Sequence, residues 1–174
     1  MPELWFHIQW SAFGTWLPGD PRGFRSHQHR IHSHGNYKNP PPEGEHRGLL
    51  LHAERTMHKP AISFDRKTRI LLRDAIVTVS QSKDLHLRCV AVSSNHVHAL
   101  MRIDPDRIVS IIGNIKRSSS HAIRDRIPGR VWAARKHVNP IRDQSYLAQT
   151  EQYILAHQSK ENAATWHDRI GYSK

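Results

Sequence analysis

The sequence predicts an α+β fold: a ferredoxin-like βαββαβ sandwich with an antiparallel sheet and two helices on one face, followed by a C-terminal helix that carries a tyrosine. Three observations predict it. Apolar residues recur at helical spacing in two separate stretches, 65–83 and 105–127. Short alternating or β-branched runs flank them at 4–13, 85–92, 96–103 and 131–141. The two central runs are separated only by "SSN", a turn too short for a crossover helix, so they pair antiparallel. The order strand, helix, strand, strand, helix, strand is that of the βαββαβ unit.

Each element has its own warrant. "LWFHIQWSAF" (4–13) is aromatic and β-branched and reads as the first strand. "GTWLPGDPRGF" follows, and its glycines and prolines make it a structured loop. Residues 25–60 are polar, with the run "NPPPEGE" and histidines at 27, 29, 32, 34, 46, 52 and 58. They read as a His/Pro-rich insertion or long loop within one domain spanning 1–174. In 65–83, Leu71, Leu72, Ala75, Ile76 and Val79 form the buried stripe and Asp65 is the expected N-cap. In 105–127, Pro105 suits the first turn and Ile108, Ile111, Ile112, Ile115, Ala122 and Ile123 face the core. "PGR" ends that helix before the strand at 131–141. Residues 143–159 form the last helix, capped by Asp143 or Ser145, and the tail after 160 is polar.

The chain has 174 residues and a net charge of +11, from 26 Lys and Arg against 15 Asp and Glu. Between Arg107 and Arg142 stand nine basic residues and one acidic one, Asp125. A surplus of eight charges crossing several elements fits an electrostatic footprint on a phosphate backbone. Lys116, Arg117, Arg124, Arg130, Arg135 and Lys136 are the candidate DNA-binding residues; Trp16 and Trp132 are candidates for stacking on unpaired bases or for the core. Cys89 is the only cysteine, which excludes an intrachain disulfide and the cysteine-rich zinc frameworks. The N-terminus lacks the basic and apolar regions of a signal peptide, and no run of about 18 apolar residues is present. The expectation is a cytoplasmic, nucleoid-associated protein with no membrane partner.

The chemistry concentrates in "SSNHVHALMRI" (93–103). Side chains alternate along a strand, so His96, His98, Leu100 and Arg102 share one face and Val97, Ala99, Met101 and Ile103 the other. The second set is apolar and packs under the helices. The two imidazoles therefore point to the free face, roughly 7 Å apart along the strand, where they can converge on one divalent metal. Two histidines are too few for a tight site. On the last helix Tyr146, Thr150, Tyr153 and His157 share a face, and Tyr153 and His157 are i, i+4 neighbours. If that helix crosses the free face, His157 completes the metal site and Tyr153 presents a phenol beside it.

Four stretches in order, "HIQWSAFGTWLPGDPRGF", "SSNHVHALMRI", "VWAARKHVNPIRD" and "QYILAHQ", resemble the single-tyrosine HUH transposases, and among these the REP-associated tyrosine transposases. The HUH motif is His96-Val97-His98, preceded by Asn95; Trp132, Ile141-Arg142-Asp143 and Tyr153-Ile154 match the series leading into the final helix. The chain departs from the family's frequent Asn-Pro after the tyrosine, reading "YILAHQSK" instead. The resemblance implies a DNA transposase that cleaves and rejoins single-stranded DNA next to hairpins. Tyr153 would attack the phosphorus and leave a 5′-phosphotyrosine with a free 3′-hydroxyl. His96, His98 and His157, with Gln158 as the rival third ligand, would hold a divalent metal. Imidazoles alone favour zinc, nickel or copper, whereas the resemblance implies Mg2+ or Mn2+. Relatives work as monomers or as homodimers that exchange the tyrosine helix. The rival of another class is a domesticated, non-catalytic hairpin DNA- or RNA-binding regulator on the same fold; a weaker one is a zinc-binding protein using the histidine-rich loop.

Overall fold

A computed structural model describes residues 3–21, 42 and 44–168. They fall into two compact units, one of residues 3–13 and 63–168 and one of residues 14–21, 42 and 44–62. The first unit opens with β1 (Leu4–Ser11). In the second unit, α1 (Arg47–Thr56) occupies part of the segment expected to be a loop. Its signal was the apolar run Leu49-Leu50-Leu51 inside otherwise polar sequence. Gly19 has φ +89°, and a Cβ there would stand 2.4 Å from the Leu50 backbone nitrogen, so only glycine lets the "LPGD" turn lie against α1. His27, His29, His32 and His34 lie outside the described residues.

The first unit continues with α2 (Arg66–Ser82), β2 (His86–Val92) and β3 (His96–Ile103). Asp65 caps α2 by accepting from the Thr68 backbone N–H at 2.7 Å. A short 3-10 turn at Pro105–Arg107 leads into α3 (Ile108–Ala122). The sequence expectation of one helix over 105–127 is thus shortened at both ends. Asp104 accepts from the Asp106 N–H and tightens the entry, and Pro128 stands too close for the helix to run on. Then come β4 (His137–Pro140), α4 (Gln144–Leu155), α5 (His157–Glu161) and β5 (Ala164–His167).

The sheet order is β4-β1-β3-β2-β5, antiparallel throughout. The fold is the α+β sandwich that the sequence predicts, with three further differences. Strand 131–141 shrinks to β4, because the Lys116 ammonium takes the carbonyls of Ala133, Ala134 and Arg135 out of any ladder; only an isolated bridge, Ala12 to Trp132, survives upstream. Helix 143–159 divides at Ala156, where the His157 side chain takes the Tyr153 carbonyl. β5 lies in the tail and adds an edge strand to β2; four half-buried residues give too short an alternation to read.

Both faces of the sheet are covered. α2 packs on β2 and against α3, with Leu72, Ile76, Val79, Ile111, Ile112 and Ile115 buried. On the other face Cys89, Ala91 and Leu100 meet Leu147 and Ile154 of α4. Leu100 shares its face of β3 with His96 and His98. The face left free by the βαββαβ unit is therefore where α4 docks, and docking brings the C-terminal helix over the histidine strand.

Candidate metal and tyrosine site

The site is built from the middle of β3 outward. His98 is 4% exposed, and His96 is half-buried one step nearer the strand's start. α4 lies across this face because Leu147 and Ile154 fill the apolar half of its surface against Cys89, Ala91 and Leu100. Glu151 fixes it further: its carboxylate accepts from Arg88 Nε at 2.9 Å and stands 2.6 Å from His167 Nε2, tying the helix to β2 and β5. Asp143 caps the helix start through the Tyr146 N–H at 2.8 Å. At the far end, Arg69 donates to the carbonyls of Glu161 and Asn162, which neutralises the end of α5.

This docking sets Tyr153 and His157 over the HUH pair. The Tyr153 ring lies 4.8 Å from the His157 ring and 5.5 Å from that of His98, centroid to centroid. The His98 and His157 rings are 4.5 Å apart, and His96 and His98 4.9 Å. One ligand atom from each of His96, His98 and His157 lies within 4.8 Å of the others. Such a set can close around a single cation with modest side-chain movement. Tyr153 is 50% exposed, so its phenol faces the cluster on one side and solvent on the other.

The ring nitrogens are sorted by hydrogen bonds. His96 Nδ1 donates to Asn95 Oδ1 at 2.8 Å, and His157 Nδ1 donates to the Tyr153 carbonyl at 2.9 Å. In the neutral rings both bonds leave Nε2 as the lone-pair nitrogen. The two Nε2 atoms face a common place, since the Glu161 carboxylate stands 3.6 Å from one and 4.0 Å from the other. His98 Nδ1 meets the Nε2 of His7, a buried histidine of β1, at 2.9 Å. Burial holds the His98 imidazole well below its usual range, with the neighbouring His96, His157 and His7 adding to the effect. Burial, then His137 and His157, lowers His7 to about 4. Both rings are neutral near pH 7, the state a metal ligand needs. The set offers a divalent cation three imidazole nitrogens.

His7 and Glu161 are the site residues that sequence reasoning did not single out. His7 had a signal: in β1, Trp5, His7 and Gln9 alternate with Phe6, Ile8 and Trp10, which puts a histidine on the face of the HUH pair. Gln158 is exposed and its carbonyl oxygen accepts from Thr165, while His157 is buried in the cluster.

The basic residues are spread along the α3–β4 side. Arg117, Arg124, Arg130 and Arg135 are exposed and Lys136 half-buried. The Lys116 ammonium donates to the carbonyls of Ala133, Ala134 and Arg135 at 3.0, 3.5 and 3.0 Å, so it holds the loop that carries Arg135 and Lys136. Trp132 is a core residue, 5% exposed, with its indole N–H donating within α3; Trp16 is 47% exposed. Among the described residues no helix is long and apolar enough to cross a membrane.

The family described as "Transposase IS200 like" matches residues 55–157, more than half of the chain. No curated protein matches the chain. A solved structure titled "Structure of the REP associates tyrosine transposase bound to a REP hairpin" shares the fold with a TM-score of 0.51; the match covers 92% of this chain and 69% of that one at 14% identity.

Proposed function

We propose, from the premise that this chain belongs to the IS200-like transposase family, that it cleaves and rejoins single-stranded DNA beside a hairpin through a 5′-phosphotyrosine on Tyr153. The observation that carries this reading is the meeting, within one chain, of a half-exposed phenol and three convergent imidazoles. The hairpin part of the reading draws support from a solved relative of the same fold whose title records a bound REP hairpin.

His96, His98 and His157 would hold the cation, taken as Mg2+ or Mn2+. When bound, it supplies charge stabilisation to the phosphoryl oxygens as they become more negative. The remaining work belongs to the chain. Docking of α4 sets the Tyr153 ring beside the histidine cluster, so attack on phosphorus would begin from a held geometry. The new Tyr153 O–P bond forms as the P–O3′ bond breaks. The phenol gives up its proton, and the departing 3′ oxygen takes one up. The bond energy of the phosphodiester stays in the link to Tyr153, and a 3′-hydroxyl attacking that link runs the step backward or joins a new end. Exposed Arg117, Arg124, Arg130 and Arg135, with Lys136, would contact phosphates, and Lys116 would set the loop that presents the last two.

The test is covalent trapping. Wild-type protein incubated with a single-stranded hairpin substrate and Mn2+ should give a protein–DNA adduct that survives a denaturing gel. Tyr153→Phe should bind the same hairpin with unchanged affinity and give no adduct. Hairpin binding by wild type without any adduct would instead identify a non-catalytic hairpin-binding regulator.

A further inference from the structure

His7 stands in the middle of β1, 7% exposed, and its Nε2 lies 2.9 Å from Nδ1 of His98 on the neighbouring strand. The two rings are nearly parallel, 28° apart, with centroids 5.1 Å from each other. The other two imidazoles of the cluster have oxygen partners at Nδ1: the Asn95 side chain for His96 and the Tyr153 carbonyl for His157. An oxygen in these groups only accepts, so in the neutral form of each of those rings the proton sits on Nδ1. His98 differs. Its partner is an imidazole, which donates or accepts according to where its own proton sits.

We propose that His7 is a positioning residue for the metal centre, which accepts the Nδ1–H of His98 and so fixes the ring in the one tautomer whose Nε2 is free to ligate. The proposal rests on the metal-site reading above and adds to it a fourth histidine that touches no metal. The alternative arrangement, with His7 Nε2–H donating to His98 Nδ1, places the His98 proton on Nε2 and removes the middle ligand from the cluster. Both residues are buried on the face that α4 covers, 7% and 4% exposed, which leaves little room for water in place of the missing partner. The antiparallel register sets His7 opposite Leu100 and Gln9 opposite His98, so His7 approaches His98 diagonally on the same face. That placement comes from two neighbouring strands in the interior of the sheet. Ligating histidines are held this way in metal sites generally, and loss of the outer partner weakens metal affinity about 10–100-fold.

The experiment uses the full chain and zinc as a diamagnetic probe. Ring nitrogen spectra of the zinc-loaded wild type should show a proton on His98 Nδ1 and none on His7 Nε2. His7→Gln keeps an acceptor near the Nε2 position and should bind zinc like wild type. His7→Phe fills the space without an acceptor and should bind about 10–100-fold more weakly. A zinc-loaded wild type with a bare His98 Nδ1, or a folded His7→Phe that binds as tightly as wild type, overturns the role of His7 and leaves the three-histidine site standing. Wild type that binds no zinc, or His98→Ala that binds equally well, overturns the metal site and the role of His7 with it. If His7→Phe does not fold, the wild-type nitrogen spectrum decides alone.

Discussion

His7 and His98 are buried imidazoles that the fold keeps neutral, and this makes the protein acid-sensitive at a definite place. Unfolded, both titrate near 6.5, whereas folded His7 titrates near 4 and His98 well below the usual range. Below pH 6.5 the unfolded chain binds protons that the folded chain refuses, so stability is complete above that value and falls as pH drops toward 4. The denaturant midpoint of metal-free protein should fall between pH 7 and 4.5, and the fall should be shallower in His7→Gln. A flat profile would mean that these rings admit protons in the folded state. The HUH pair was legible in the sequence because two histidines two residues apart on a strand must share a face. His7 was harder to read, because one histidine in an aromatic strand has no periodic partner along the chain. Its partner is 91 residues away.

At the scale of elements, the position of α4 decides whether a tyrosine helix meets a histidine strand. Its apolar anchors are Leu147 and the fully buried Ile154, next in sequence to Tyr153. Ile154→Ala removes buried methyl groups beneath the tyrosine and should cost about 2–5 kcal/mol of stability in urea denaturation. Adduct formation should fall more than hairpin binding, since the phenol loses its support while the basic side does not. Equal losses in both would argue that α4 has no special part in presenting Tyr153. The helix itself was readable from its cap candidates, Asp143 and Ser145, and its face of Tyr146, Thr150, Tyr153 and His157; the structure selects Asp143. The break at Ala156 and the strand β5 were not, since a side chain on a carbonyl sets the one and pairing with β2 sets the other.

For the whole molecule, the basic surplus between Arg107 and Arg142 is an electrostatic claim with a salt signature. Arg135→Ala and Lys136→Ala should each weaken hairpin binding similarly for different sequences, and each lost contact should lower the slope of log affinity against log salt by about 0.7–0.9. Lys116→Met should behave differently, lowering thermal stability by freeing three carbonyls of the 133–135 loop. An unchanged salt slope for Arg135→Ala and Lys136→Ala would remove that loop from the DNA path. Composition announced the charge, but not which cations are occupied. Lys116 and Arg135 look alike in sequence, and only folding turns one of them inward.

The sequence by itself determined the βαββαβ order and the helix that follows it, the cap of α2, the face on which His96 and His98 point, and the family resemblance carried by these motifs. All of these are local: they depend on periodicity, on alternation and on residues a few positions apart. Tertiary structure alone decided that α4 covers the histidine face, that His157 rather than Gln158 turns into the cluster, that His7 backs His98, and that Lys116 serves the loop. Each of those rests on contacts between distant segments, where shared burial, and not the local pattern, selects the partner.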